Sequence, residues 1–208
     1  MTAADKVTSI RIVLAPVFFV VYMLPVFNPP FSLSWTLFFA DGAEIFHKFR
    51  WTVPVLWFIF VASEITDMID GKLARSRNEV SDFGKFYDPF ADTLVQVTNF
   101  LCFVIDGILP VILFLPFLFR EFSVLFIRNL MLRKGIIMGA RMGGKVKTVV
   151  YIASGALALL AASLRRLGQT GAVFDWVRIA AVSLFFVGVV LAIVSFFDYT
   201  SVYHKAKE

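Results

Sequence analysis

The chain has 208 residues, of which 59% are hydrophobic, 16% aromatic and 17% charged, with a formal net charge of +5 and a mean hydropathy of +0.82. Soluble domains hold about 45–50% apolar and about 25% charged residues, so this composition excludes a soluble globular domain, a disordered chain, a collagen and a disulfide scaffold. We expect an integral membrane protein, in which excess Lys and Arg mark cytoplasmic loops and lipid headgroups, so no nucleic-acid partner is expected.

Six apolar segments follow one another along the chain, and each is long enough to cross a bilayer, which takes about 20 residues. Their approximate bounds are Ser9–Phe27, Trp51–Ala74, Gly84–Ile105, Ile108–Leu132, Lys145–Leu164 and Trp176–Phe197. The connection Asn28–Arg50 is expected to be exposed, and its later part to lie along the membrane interface. The sequence therefore predicts an all-α, polytopic membrane protein with six transmembrane helices in a single domain over residues 1–208.

The basic residues indicate the orientation of these helices. Six spans place both termini on one side, and most of the 20 Lys and Arg residues lie in the stretches on that side. Because cytoplasmic loops carry the excess of Lys and Arg, we expect both termini to be cytoplasmic. The lone Cys102 cannot form an internal disulfide and is interpreted as a small buried hydrophobe.

One acidic cluster does not fit a passive bundle of helices. Asp67, Asp70 and the small residues Gly71 and Ala74 share a face of the second helix. Asp88 and Asp92 are four residues apart on the third helix and also share a face. Because only the short turn Ser76–Asp82 joins the two helices, antiparallel packing is expected to bring both faces together at the cytoplasmic boundary.

Carboxylates near membrane depth are costly and are functional candidates by default. Four of them would repel one another unless cations lay between them. Oxygen ligands without a nearby His or Cys favour Mg²⁺, Mn²⁺ or Ca²⁺ over Zn²⁺, and Asp67 could bridge two ions as in two-metal phosphoryl transfer. Gly71 and Ala74 leave room for a bulky ligand, and Arg75 could neutralise a phosphate. The alternative for any single Asp is a solvated charge at a helix end.

The run D-x2-D-G-x2-A-R-x8-G-x3-D-x3-D from Asp67 to Asp92 resembles the signature of the CDP-alcohol phosphatidyltransferase family. Other segments are similar to the branch of that family that makes phosphatidylglycerophosphate. They are Lys6–Arg11, Asn78–Asp92, Arg120-Glu121-Phe122, Arg128 and Gly144–Thr148. The sequence departs from that branch at Asp5, where Asn is common, and at Thr93, where Lys is frequent.

The resemblance implies an enzyme of phospholipid biosynthesis that transfers the phosphatidyl group of CDP-diacylglycerol to an acceptor hydroxyl and releases CMP. By matching position, two divalent cations, Mg²⁺ or Mn²⁺, would be held by Asp67, Asp70, Asp88 and Asp92. Asp92 would also be the catalytic general base. The implied nucleotide-binding residues are Thr8, Asp67, Asp70, Gly71, Ala74, Arg75 and Gly84.

The acceptor is indicated by a second group of residues. Arg120 and Arg128 are about 80° apart on a helix, and Lys145 and Lys147 open the next segment on the same side. Such cations suit an acceptor that carries a phosphate, and the branch resemblance favours sn-glycerol 3-phosphate. A salt bridge of Arg120 with Glu121, and ordinary flanking charge for the lysines, are the alternatives. Inositol phosphate, serine or a second lipid stay open as acceptors.

Two other classes of protein use intramembrane acids. A prenyltransferase would carry two acidic clusters far apart in sequence, and a cation transporter would carry carboxylates at mid-membrane depth in broken helices. The expected location is the bacterial cytoplasmic membrane, with the active site facing the cytoplasm and in contact with membrane lipids. Because dimers are common in this family, a homodimer is open as well.

Overall fold

The computed structural model describes the backbone of residues 3–25, 49–77, 82–133, 135 and 142–205. Side chains are described for these residues except 3–5, 68, 70–77, 82, 83, 85, 142–145 and 198–205. Most of the predicted connection Asn28–Arg50 and the centre of the predicted turn Ser76–Asp82 lie outside this part of the chain.

The described residues form six helices and no strand, which confirms the all-α prediction. The helices are α1 (Ala3–Met23), α2 (Thr52–Arg77), α3 (Asp82–Ile105), α4 (Val111–Arg133), α5 (Met142–Arg166) and α6 (Ala172–Lys205). Each predicted segment coincides with one helix. The helices extend beyond several of the predicted ends, most of all at the C-terminal end of α6 and the N-terminal end of α1, because polar and charged residues continue the helical turns past the apolar stretch.

Helix α1 contacts both of the helices that carry the acidic residues. Helix α1 packs against both α2 and α3, and in the described residues α2 and α3 make no extensive contact with each other. Helix α3 packs on α4, α4 packs on α6, and the most extensive pairing joins α5 with α6. In the part of the chain that the structure describes, helix α1 therefore connects the two helices that carry the acidic faces.

Aromatic rings form the core between α3, α4, α5 and α6. Phe100 lies with its ring centroid 5.2 Å from Phe117, 5.7 Å from Tyr151 and 4.6 Å from Phe185. All four side chains are buried. Edge-to-face and tilted ring pairs stabilise a fold beyond the contribution of the apolar area that they bury. This cluster therefore fixes how the four C-terminal helices pack.

Two glycines end helices by adopting a left-handed backbone. Gly107 (φ 70°) follows α3, where the Ile108 amide donates to the Phe103 carbonyl, and Gly168 (φ 79°) follows α5, where the Gln169 amide donates to the Leu164 carbonyl. This pattern is the Schellman motif, in which glycine adopts positive φ without steric cost. The Asp106-Gly107 dipeptide, a turn signal that can be read from the sequence alone, lies at the first of these helix ends.

Three described helices are long and apolar enough to cross a membrane, over Lys6–Met23, Val146–Arg166 and Ala172–Phe197. Large apolar side chains cover the outside of the bundle, including Phe58, Ile112 and Trp176, each more than 70% exposed. Such a surface is unsuited to water and suited to lipid. The chain is therefore a membrane protein, as its composition predicted.

The close packing of α5 on α6 gives a prediction for stability. A Cβ atom at Gly188 would lie 2.5 Å from the Tyr151 ring, which cannot move because it is buried among Phe100, Phe117 and Phe185. We expect Gly188→Ala to lower the free energy of unfolding by about 1–3 kcal/mol. Unfolding in detergent, followed by circular dichroism, measures the effect. Gly171→Ala is the control, because no atom lies within 4 Å of its added Cβ; equal stability of the two variants would refute the prediction.

Candidate active site

Arg11 of α1 joins the acids of the two neighbouring helices. Its Nη1 atom donates to Oδ1 of Asp67 on α2 at 2.6 Å and to Oδ1 of Asp92 on α3. The guanidinium side chain is 2% exposed, whereas the side chains of Asp67 and Asp92 are 48% and 41% exposed. The cation thus lies on the inner side of the site, and the two carboxylates lie between it and the opening.

One turn before Arg11, the same face of α1 binds the preceding turn of α3. The buried Thr8 hydroxyl donates to Oδ1 of Asp88 at 2.6 Å, and the Ser9 and Tyr87 hydroxyls lie 3.1 Å apart. Residues 8 and 11 share a face because three residues nearly complete a helical turn. Helix α1 therefore contacts three of the four predicted metal-binding acids, Asp67, Asp88 and Asp92.

A cavity of about 60 Å³ opens beside these carboxylates. Helix α1 contributes Arg11, and α5 contributes Thr148. The remaining lining residues come from α2 and α3: Ser63, Glu64, Asp67, Asp92, Val95 and Gln96. Three carboxyl groups and one guanidinium thus line one small space, so the site carries excess negative charge and suits a bound cation.

The other predicted ligands and nucleotide-binding residues of α2 and α3 do not line this cavity in the described part of the chain. Asp70, Gly71, Ala74 and Arg75 occupy the last turns of α2 after Asp67, and their side chains lie outside the described set. Gly84 is buried in the first turn of α3. Among the side chains that the structure describes, no group of three His, Cys, Asp or Glu residues is arranged to hold a metal ion.

Sequence reasoning missed several residues of the site. Arg11 was noted only as part of the N-terminal segment, and Glu64, Gln96 and Thr148 had no individual role. Arg11 and Glu64 each interrupt an apolar run, and a charge inside such a run is a signal that would have identified them. Gln96 could have been found from its spacing, one turn after Asp92 on α3.

The predicted acceptor residues Arg120 and Lys147 converge on a buried acid. Glu121 Oε1 accepts from Arg120 Nη1 at 2.9 Å and from Lys147 Nζ at 2.6 Å. Arg120 also donates to the Ala192 carbonyl and to the Ser195 hydroxyl. All three charged side chains are less than 10% exposed, so the salt bridge that was the alternative for Arg120 is present.

The remaining two predicted acceptor residues are placed differently. Arg128 is half-buried two turns after Arg120 on α4, and the side chain of Lys145 lies outside the described set. Lys147 is adjacent to Thr148, which lines the cavity. The buried network around Glu121, made of Arg120, Glu121 and Lys147, is therefore next to the candidate active site along α5.

Thr93, one of the two departures from the branch pattern, has a local role in α3. It is buried, and its hydroxyl donates to the Pro89 carbonyl at 2.9 Å. The helix continues through Asp88, Pro89 and Asp92 without a break, as α2 does through Asp67. Continuous helices disfavour the transporter alternative, for which we expected acids in broken helices.

Comparisons with known proteins identify the family to which the chain belongs. The model of the CDP-alcohol phosphatidyltransferase family matches residues 1–194. A CDP-diacylglycerol–glycerol-3-phosphate 3-phosphatidyltransferase of Treponema pallidum is 37% identical over 96% of this chain and 88% of its own length. Proteins of the same name from Bacillus subtilis and Salmonella typhimurium are each 30% identical, over 71% and 93% of this chain and 71% and 90% of their own lengths. The chain belongs to the CDP-alcohol phosphatidyltransferase family.

Proposed function

We propose that this chain transfers the phosphatidyl group of CDP-diacylglycerol to the hydroxyl of sn-glycerol 3-phosphate and releases CMP. The observation that carries the proposal is that α1 joins Asp67 and Asp92 at one cavity, in a chain that matches the family over residues 1–194. The relatives that carry this activity in their names support the choice of acceptor.

In this reaction the acceptor oxygen forms a bond to the β-phosphorus, the bond from that phosphorus to the CMP oxygen breaks, and the hydroxyl proton passes to a base. Asp92 is the proposed base, because its carboxyl group is 41% exposed at the cavity. Arg11 donates to Oδ1 of Asp92 and so orients the carboxyl group at the cavity. A base must lie within hydrogen-bond reach of the hydroxyl.

The donor set of the site fits a divalent cation. Its described acids supply only oxygen atoms, the ligands that Mg²⁺ and Mn²⁺ prefer. We propose that two such ions are held by Asp67, Asp70, Asp88 and Asp92. When bound, the ions would withdraw charge from the phosphoryl group and stabilise the leaving CMP. Thr8 fixes the orientation of Asp88, and Arg11 fixes that of Asp67 and Asp92.

The nucleotide is proposed to lie along the end of α2. Gly71 and Ala74 follow Asp67 at helical spacing and carry little side-chain bulk, and Arg75 supplies a charge for the diphosphate. Thr8, Asp67, Asp70 and Gly84 complete the proposed nucleotide site. The acceptor phosphate is assigned to Arg128, Lys145, Lys147 and Arg120, with Arg120 and Lys147 acting from the buried network around Glu121.

We also propose that residues 1–208 form one membrane domain whose six helices all cross the bilayer, with both termini and the active site on the cytoplasmic side of a bacterial membrane. The distribution of Lys and Arg along the sequence supports this orientation. The acids of α2 lie toward its C-terminal end and those of α3 toward its N-terminal end, and this arrangement supports the proposal that both groups lie on the same side of the membrane.

The purified full-length protein in detergent micelles, supplied with Mg²⁺ and CDP-diacylglycerol, tests the activity. We expect CMP release that depends on added sn-glycerol 3-phosphate and exceeds by at least about tenfold the release with inositol phosphate or serine, because a site built for a particular polar acceptor rejects others strongly. Chromatography of CMP and of the lipid product measures both halves of the reaction. CMP release with another acceptor, and none with glycerol 3-phosphate, would refute the proposed acceptor and keep the reaction class.

A further inference from the structure

Arg11 is the most deeply buried cation of the active site. It is 2% exposed, and its Nη1 atom contacts one oxygen of Asp67 and one oxygen of Asp92. A single donor that bonds two acceptors keeps them within about 6 Å of each other, or two hydrogen-bond lengths. The carboxylates of two separate helices are thus held at a distance at which a shared cation could bind both.

The contacts among helices explain why α1 must supply this link. Among the described residues, α2 and α3 each pack on α1 and make no extensive contact with each other. Without a cation between them, Asp67 and Asp92 would repel each other across α1, and Glu64 on the wall of the same cavity would add to that repulsion. Arg11 neutralises one of these charges from the inner side.

We propose that Arg11 is the internal counter-ion of the metal site and a positioning residue for two of its acids, Asp67 and Asp92. It holds Asp67 and Asp92 together when no divalent ion is bound, and it lowers the affinity of the site for that ion. This inference rests on the proposed function, because it needs a divalent cation at these carboxylates.

The sign of the effect follows from charge. Arg11 and the divalent ion are both cations, and both neutralise the same two carboxylates. Each therefore weakens the binding of the other, and this coupling is reciprocal by thermodynamic linkage. Arg11 cannot avoid this repulsion by moving away from the ion, because a buried cation that leaves its partners becomes an uncompensated charge.

Titration of the purified full-length protein with Mn²⁺, followed by electron paramagnetic resonance of free Mn²⁺, tests the inference without any measurement of activity. We expect Arg11→Gln to bind Mn²⁺ about tenfold or more tightly than the wild type, within the range usual for coupled sites. We expect Arg11→Lys, which keeps the positive charge, to stay near the wild-type affinity. Unchanged or weaker binding by Arg11→Gln would overturn the proposal.

A matched control is provided by a second buried arginine. Arg166 is 1% exposed and donates to the Tyr22 carbonyl at the opposite end of α1. Arg166→Gln should leave the Mn²⁺ affinity unchanged, whereas an equal rise in both variants would overturn the proposal by showing a general effect of lost buried charge.

The Mn²⁺ affinities of Arg11→Lys and Asp67→Asn separate a failure of folding, a wrong metal site and a wrong role of Arg11. If Arg11→Gln does not fold without metal, Arg11→Lys decides alone: a tenfold rise in its affinity would show that charge is not the cause and would overturn the inference. If the wild type binds no Mn²⁺, or if Asp67→Asn binds it equally well, the proposed metal site itself is wrong. If Asp67→Asn abolishes Mn²⁺ binding and Arg11→Gln leaves it unchanged, only the role of Arg11 is wrong.

Discussion

Asp92→Asn is expected to lower the rate of CMP release by at least about a thousandfold, because it removes the proposed base and a proposed metal ligand together. The substitution keeps the size of the side chain and leaves an amide oxygen that can still accept from Arg11. The variant is therefore expected to fold. Initial rates of CMP release at saturating CDP-diacylglycerol and glycerol 3-phosphate measure the loss.

Binding of CDP separates chemistry from a general loss of structure. The nucleotide is assigned to α1, to the end of α2 and to Gly84 at the start of α3, and not to Asp92, so Asp92→Asn should bind CDP with an affinity within about tenfold of the wild type. Asp175→Asn, at an exposed acid in the first turn of α6, is the control that should keep full activity. Turnover within tenfold of the wild type by Asp92→Asn would contradict the assignment of the base.

Glu121→Leu is expected to destabilise the protein by about 3–5 kcal/mol, because it leaves two buried cations without their shared anion. Arg120 and Lys147 both bond Oε1 of Glu121, and their side chains are 6% and 9% exposed, so solvent cannot replace the lost partner. Unfolding by denaturant in mixed micelles, followed by circular dichroism, measures the change.

A double variant distinguishes lost charge balance from lost packing. When Lys147→Met is introduced into Glu121→Leu, it removes one of the two unpaired cations. The double variant should therefore be more stable than Glu121→Leu alone by about 1–3 kcal/mol. Arg120 keeps its bonds to the Ala192 carbonyl and the Ser195 hydroxyl in that variant. If Lys147→Met adds to the damage of Glu121→Leu, then the network around Glu121 is not held together by charge.

The same network bears on how the acceptor phosphate would be bound. Arg120 already uses Nε and both terminal nitrogens in bonds to Ala192, Glu121 and Ser195. Lys147 lies against Glu121 and 5.1 Å from the centroid of the Tyr151 ring. These two cations are thus oriented by the interior of the bundle, so we expect Arg128 and Lys145 to carry more of the direct contact with the acceptor.

Local patterns in the sequence predicted much of the fold. Hydropathy over about 20 residues indicated each of the six helices, and the Asp106-Gly107 dipeptide indicated the turn after α3. The spacing from Asp67 to Asp92 indicated the acidic site and the family. These features depend on neighbours within a few turns of one chain segment, where the helical period relates sequence directly to geometry.

The partners of buried charges depended on tertiary structure. Arg11 pairs with Asp67 and Asp92 across 56 and 81 residues of chain, and Glu121 binds Lys147 across 26 residues. No local period connects residues so far apart. Which helix lies between α2 and α3 is decided by how all the apolar faces pack together, and a buried cation then pairs with whichever acid that packing brings within reach.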